Sequence, residues 1–277
     1  MMTIVQRNFF RLLRSGAFES KENIEPMSVS KWEKVYQLAI MHDVAGYAYE
    51  GLLHCREQFF LHLTDKQWEK WETTVVEFRK RYQDENAEED EFLRGDHLTN
   101  PLLNHKLQAI LDDEHSDMQT RQFLLAIIRC SRHILNEGVP VKQLIAIGSM
   151  LRTSQHHTDM IMLDRWLKSL RFQHAAQLLA ALLIRLLDFK PEEIPFASPE
   201  GDKRIATIAQ ELIAFTNTRS QDFYFSQDSG SIFVHTSNGS AMLSHMRRSA
   251  RYFRYHPSET LTNFFASFAH SLSHIEE

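Results

Sequence analysis

A chain of 277 residues with 43% hydrophobic and 24% charged side chains has the composition of a globular protein long enough to bury a large core. Its formal charge of −5 gives no general attraction to nucleic acid or to an anionic membrane. Only 9 Gly and 7 Pro occur, which disfavours a turn-rich all-β design and suits long helices.

The first predicted helix carries Ile4, Val5, Phe9, Leu12 and Leu13 at helical spacing, with Gly16 placed to end it. Nothing in this N-terminal stretch combines a continuous apolar segment with a small-residue cleavage site, so no secretion signal is expected. Ser30 and Glu33 read as a capping box for the next helix, which lines up Trp32, Val35, Tyr36, Ala39 and Ile40. The segment 44–51 is short and rich in small residues, as close packing on a neighbour requires. Thr64 and Gln67 form a second capping box, opening a long helix with Trp68, Trp71, Val75, Phe78 and Tyr82 on one face. That face runs out into the acidic stretch 84–91, which reads as a solvated helix end because its carboxylates do not surround one point.

Gly95 marks a break, and Asn100-Pro101 supplies an N-cap and a first helical residue. Further helices are expected over about 118–136, with Gly138 as stop, then around Leu144–Leu151, Ile161–Leu170 and Phe172–Leu187. The last of these is Ala- and Leu-rich almost all round, so it is expected to be the central one. Prolines 191, 195 and 199 then break the pattern, and helix resumes over Ile205–Phe215. One departure is a β-hairpin expected at about 223–235, where Phe223–Phe225 and Ile232–His235 flank a turn-rich hexapeptide. Two closing helices follow, the second with Ser258 as its expected N-cap. The expectation is an all-α fold with at most that one hairpin, built from a helical region at 1–95 and another at 96–277, packed as one unit. The cysteines, Cys55 and Cys130, sit inside helical segments and read as reduced, buried thiols, which points to a cytoplasmic setting. No apolar run is long enough to span a membrane.

Candidate chemistry is sparse. The 15 His include no His-Glu-x-x-His pattern and no Cys-x-x-Cys accompanies them, so no metal site is expected. Asp112, Asp113, Glu114 and Asp117 could in principle hold Mg²⁺, but they lie together at a helix end, whereas converging ligands come from separate elements. Phosphate-cradling Gly-rich loops and nucleophile elbows are absent from the sequence. Arg247, Arg251 and Arg254 fall on one helical face beside an apolar stripe, a candidate phosphate or nucleic-acid contact with an internally paired face as the competing reading. Arg132, His133 and Lys142 form a second polar cluster.

Several segments, taken in order, resemble the bacterial uncharacterised nucleotidyltransferase family of the polymerase-β-like superfamily. They are Phe9–Gly16 with Trp32 and Leu38-Ala-x-x-His42-x-Val44; Asn100-Pro-Leu-Leu-Asn104; Arg132-His133-x-x-x-Glu137-Gly138-Val-x-Val-Lys142-Gln143-Leu144; and Tyr252–Glu259. The resemblance implies a helical scaffold around a catalytic sheet whose paired carboxylates hold Mg²⁺ against a nucleotide. Here only a short loop separates Phe92 from Asn100, where the family has most of that sheet, and Arg94-Gly95-Asp96-His97 is at most a remnant. The downstream motif also departs from the family pattern, with Arg129 for His, Pro140 for Gly, Lys142 for Arg and Ala146 for Asp. Without metal carboxylates the family's transfer chemistry has no foothold. The resulting expectation is a degenerate, non-catalytic member without cofactor, binding a protein partner or a second copy of itself. The alternatives are an enzyme still using nucleotide and Mg²⁺ through Asp112, Asp113 or Asp117, and a nucleic-acid binder through Arg247, Arg251 and Arg254.

Overall fold

The computed structural model describes residues 2–84, 95–114, 116–136, 141–153, 158–198 and 253–273. Among these the protein is all-α: α1 Ile4–Phe18, α2 Val29–Met41, α3 Ala45–His54, α4 Asp65–Asp84, α5 Pro101–Leu111, α6 Met118–Asn136, α7 Val141–Thr153, α8 Met160–Ser169, α9 Gln173–Leu187 and α10 Pro257–Ser273. The expected hairpin at 223–235, the helix over Ile205–Phe215, most of the acidic stretch and Gly138 lie outside the described residues.

Local signals set most of the helix starts. Thr64 Oγ1 accepts from Gln67 N while Gln67 Oε1 accepts from Thr64 N, so α4 opens on the expected capping box. Asn100 Oδ1 accepts from Leu102 N and Leu103 N at the head of α5. The same device starts α1, where Thr3 and Gln6 exchange bonds.

Three expected boundaries are corrected. The N-cap of α2 is Ser28, whose hydroxyl bonds Ser30 Oγ at 3.1 Å, and the expected Ser30–Glu33 box does not form, Glu33 accepting from Lys70 Nζ at 2.6 Å. Pro257 is already helical in α10, and the residue before it, His256, does the capping. Gly16 does not end α1. The helix runs on to Phe18 and closes on Glu19 in a left-handed conformation (φ 56°). Gly16 instead lies at the crossing of α1 and α3: a Cβ there would stand 1.9 Å from Tyr47 O, and one on Gly51 would stand 2.1 Å from Leu12 O. The small-residue segment at 44–51 is therefore the seat for α1, as its composition suggested.

Helix α3 also packs on α4, where Tyr36 of α2 meets Trp71 edge-on at 5.0 Å and its hydroxyl bonds Thr74 Oγ1 at 2.7 Å. The second half forms around α9, which touches α1, α6, α7 and α8. That number of neighbours explains its all-round apolar sequence, and the expectation of a central helix holds. Fully buried Leu182 and Leu183 each contribute roughly 1.5–3 kcal/mol relative to exposure. Apolar residues from Phe9 to Ile194, together with Tyr255, form one continuous cluster, so the two expected helical regions share a core. At one margin of it Phe18 and Phe189 meet edge-on at 5.3 Å, and the Arg152 guanidinium lies against both rings, 4.6 and 4.4 Å from their centroids. Among the described residues, no helix is long and apolar enough to cross a membrane.

Charge fastens the connection between α1 and α2. Glu25 accepts from Arg7 and Arg11, which together hold its carboxyl at about 2. On the other side of α1, His42 stacks on Phe9 at 5.8 Å, and burial pushes its pKa down to about 4. An ordinary histidine in the unfolded chain takes its proton near pH 6.5, so the stability linked to neutral His42 is intact above that pH and is lost as the pH falls towards 4. Denaturation midpoints measured between these limits should decline by an amount on the order of 2 kcal/mol. The His42→Gln variant should show a shallower decline over this window; an unchanged slope would assign it elsewhere.

Candidate functional site

The periodicity of α6 places Leu124, Ile128 and Arg132 four residues apart on one stripe, so the helix carries a guanidinium into its own apolar face. Arg132 is 1% exposed, as is its partner Glu259 on α10, with Nη1 at 3.6 Å from Glu259 Oε1. Arg132 Nη1 also donates to His97 O. Glu259 accepts backbone N–H groups from the chain entering α5, Thr99 N on Oε1 at 2.8 Å and Asn100 N on Oε2 at 3.1 Å. Beside them the hydroxyls of Thr99 and Thr262 meet at 2.8 Å.

His256 completes the arrangement. Its Nδ1 accepts from Glu259 N at 3.1 Å, which leaves Nε2 as the protonated nitrogen, directed at Leu170 O 3.3 Å away. Its ring lies 4.0 Å from that of Phe172. Burial holds its pKa below that of an ordinary histidine; the charge of Glu259 opposes this shift and that of Arg171 adds to it. A cavity of about 20 Å³, room for a single water, lies among Arg132, Phe172, Tyr255, His256 and Glu259. With both carboxylate oxygens taken by N–H donors and the imidazole acting as a helix cap, the cluster has the geometry of an anchor between α5, α6 and α10.

The other residues singled out by the sequence are dispersed. His133, adjacent to Arg132, accepts from Gln143 Nε2 at 3.1 Å and so ties α6 to α7. Lys142 pairs with Asp43 at 2.6 Å and ties α7 to the turn before α3. Arg254 is exposed, whereas Arg247 and Arg251 lie outside the described residues. Asp112 is the C-cap of α5. Asp117 Oδ2 accepts from Thr120 N and Thr120 Oγ1, both at 2.7 Å, bonds that lower its pKa and make it a cap for α6. No group of three or more His, Cys, Asp or Glu is placed to hold a metal ion among the described residues.

A larger, open cleft of about 440 Å³ lies where α1 and α3 end, between Ser15, Glu22, His54, Cys55 and Gln58. Its groups are engaged with one another: Arg14 Nε and Nη2 donate to Glu22, Gln58 Nε2 donates to Glu22 O, and His54 Nδ1 donates to Ser15 O. The Cys55 thiol beneath it is buried, which raises its pKa and keeps it protonated.

Sequence reading marked Arg132 and missed Glu259 and His256 as its partners. The available signal was the phase of α6, since an arginine in step with Leu124 and Ile128 must find an anion inside the fold. No family model, no curated protein and no solved structure matches the chain.

Proposed function

We propose that the protein is a non-catalytic helical binding or scaffold protein, a cytoplasmic chain with a nucleotidyltransferase-like framework whose partner is another protein or a second copy of itself. The observation carrying this reading is the fate of Arg132, the basic residue that opens the most recognisable segment of the resemblance. It is buried and paired with Glu259, so it supports the junction of α5, α6 and α10 and is not presented to a nucleotide. His133 and Lys142 are likewise committed to Gln143 and Asp43. The competing reading is an enzyme handling nucleotide and Mg²⁺ through Asp112, Asp113 or Asp117. The Asp117 carboxylate caps α6 through Thr120, which supports a structural role for it, and Asp112 stands at the C-terminal boundary of α5.

Calorimetric titration of the full chain with ATP, CTP, GTP and UTP, each with Mg²⁺, separates the two readings. The scaffold reading expects no saturable heat and no hydrolysis or transfer product. Turnover of any of the four nucleotides would overturn it.

A further inference from the structure

Helix α10 is seated in an unusual sense. Its described inward side chains are polar, Glu259, Thr260 and Asn263, while Leu261 and Phe265 are 49% and 60% exposed. The Thr260 and Ser258 hydroxyls are buried and find no hydrogen-bond partner among the described residues. Among the described residues, its ties include the carboxylate of Glu259 on two backbone N–H groups and Arg132, the Thr99–Thr262 bond, and the imidazole of His256. Polar ties of this kind depend on protonation state, whereas apolar packing does not.

We infer that α10 is a pH-sensitive latch, closed while His256 is neutral and released locally from the helical body when His256 gains a proton. The second proton has only Nδ1 to occupy. There it would face the Glu259 N–H that this nitrogen now accepts, and the first turn of α10 would lose its cap. The charged groups around the ring are Arg132 from α6, Arg171 from the turn between α8 and α9, and Glu259 from α10 itself; the titratable phenol of Tyr255 and the apolar Phe172, Ala175 and Leu178 line the same cavity. Arg132 and Arg171 both disfavour a third cation there. Glu259 would favour it, but its oxygens are already bound to Thr99 N, Asn100 N and Arg132, so accommodating an imidazolium means loosening that joint. Release of α10 uncovers the Arg132 pocket and the entry to α5. This inference does not rest on the scaffold reading, and its test contains no nucleotide.

The test is hydrogen exchange of the full chain, followed by mass spectrometry between pH 7.5 and 5.5 and corrected for intrinsic exchange rates. Protection of α10 should stay below that of α9 and fall severalfold over this range, one proton with an open-state pKa near 6.5 allowing at most about tenfold. His256→Asn keeps a capping side chain without a titrating group, and α10 protection in that variant should be independent of pH. In the unmodified chain, NMR titration of the His256 ring should give a midpoint below the ordinary histidine value, with α10 protection declining on the approach to it from higher pH. The latch is overturned if α9 and α10 are equally protected throughout, if α10 protection is constant, if the Asn variant keeps the pH dependence, or if the His256 ring titrates at or above the ordinary histidine value.

Discussion

Replacing Gly51 by alanine is expected to destabilise the fold by about 3 kcal/mol or more, read as a lowered urea midpoint. An added methyl there meets the backbone of Leu12, with its carbonyl oxygen at 2.1 Å and its Cα at 2.8 Å, and no rotamer change can move a main-chain atom aside. Gly16 faces the same crossing from the other side, with Tyr47 O at 1.9 Å and Gly51 N at 2.7 Å. Relief requires α1 to withdraw from α3, and α1 also packs on α2, α7 and α9. The two substitutions should therefore be less than additive, because the first one already separates the helices. A midpoint for Gly51→Ala within about 0.5 kcal/mol of the parent would mean that the crossing is looser than described.

The second large effect is expected at Arg132. Arg132→Met leaves the buried Glu259 carboxylate without its cation and should cost about 3–5 kcal/mol. Adding Glu259→Gln removes the orphaned charge while keeping an oxygen for Thr99 N or Asn100 N, and should restore about 2 kcal/mol of that loss. A double variant no more stable than Arg132→Met would show that geometry at this junction matters more than charge. Denaturant unfolding of the parent, the two single variants and the double variant closes the cycle.

These two sites mark where the sequence was legible and where it was not. Amphipathic spacing identified the helices, and side chains that bond their own backbone, as at Thr64–Gln67 and Asn100, located their starts because those interactions are local in sequence. Gly16 was misplaced as a helix stop because a glycine serves equally at a left-handed terminus and at a close crossing, and only the position of α3 decides between them. Ser30 and Ser258 failed as caps for a related reason. Lys70 lies 37 residues beyond Glu33, and a histidine can cap as well as a serine when its imidazole is neutral. The Arg132–Glu259 joint spans more than a hundred residues, so neither half could announce the other. The basic face through Arg254 was readable as a pattern, but two of its three arginines fall outside the described residues.

The contact of Arg152 with the Phe18–Phe189 pair has a meaning beyond packing. Phe18 ends α1, Arg152 lies in the last turn of α7, and Phe189 follows the end of α9, so three neighbouring helices turn their carboxyl ends towards one region. Each helix brings a partial negative charge of about half an electron at its free carbonyls, and like ends held side by side repel. Arg152 stands among them, and Arg14 Nη1 donates directly to the Leu186 carbonyl at 3.3 Å. Both guanidinium groups also face carboxylates, Arg14 on Glu22 and Arg152 3.6 Å from Glu193, so each helix end is met by an ion pair whose cationic side is turned towards the carbonyls. The arrangement of the core is in this respect an electrostatic solution as much as an apolar one.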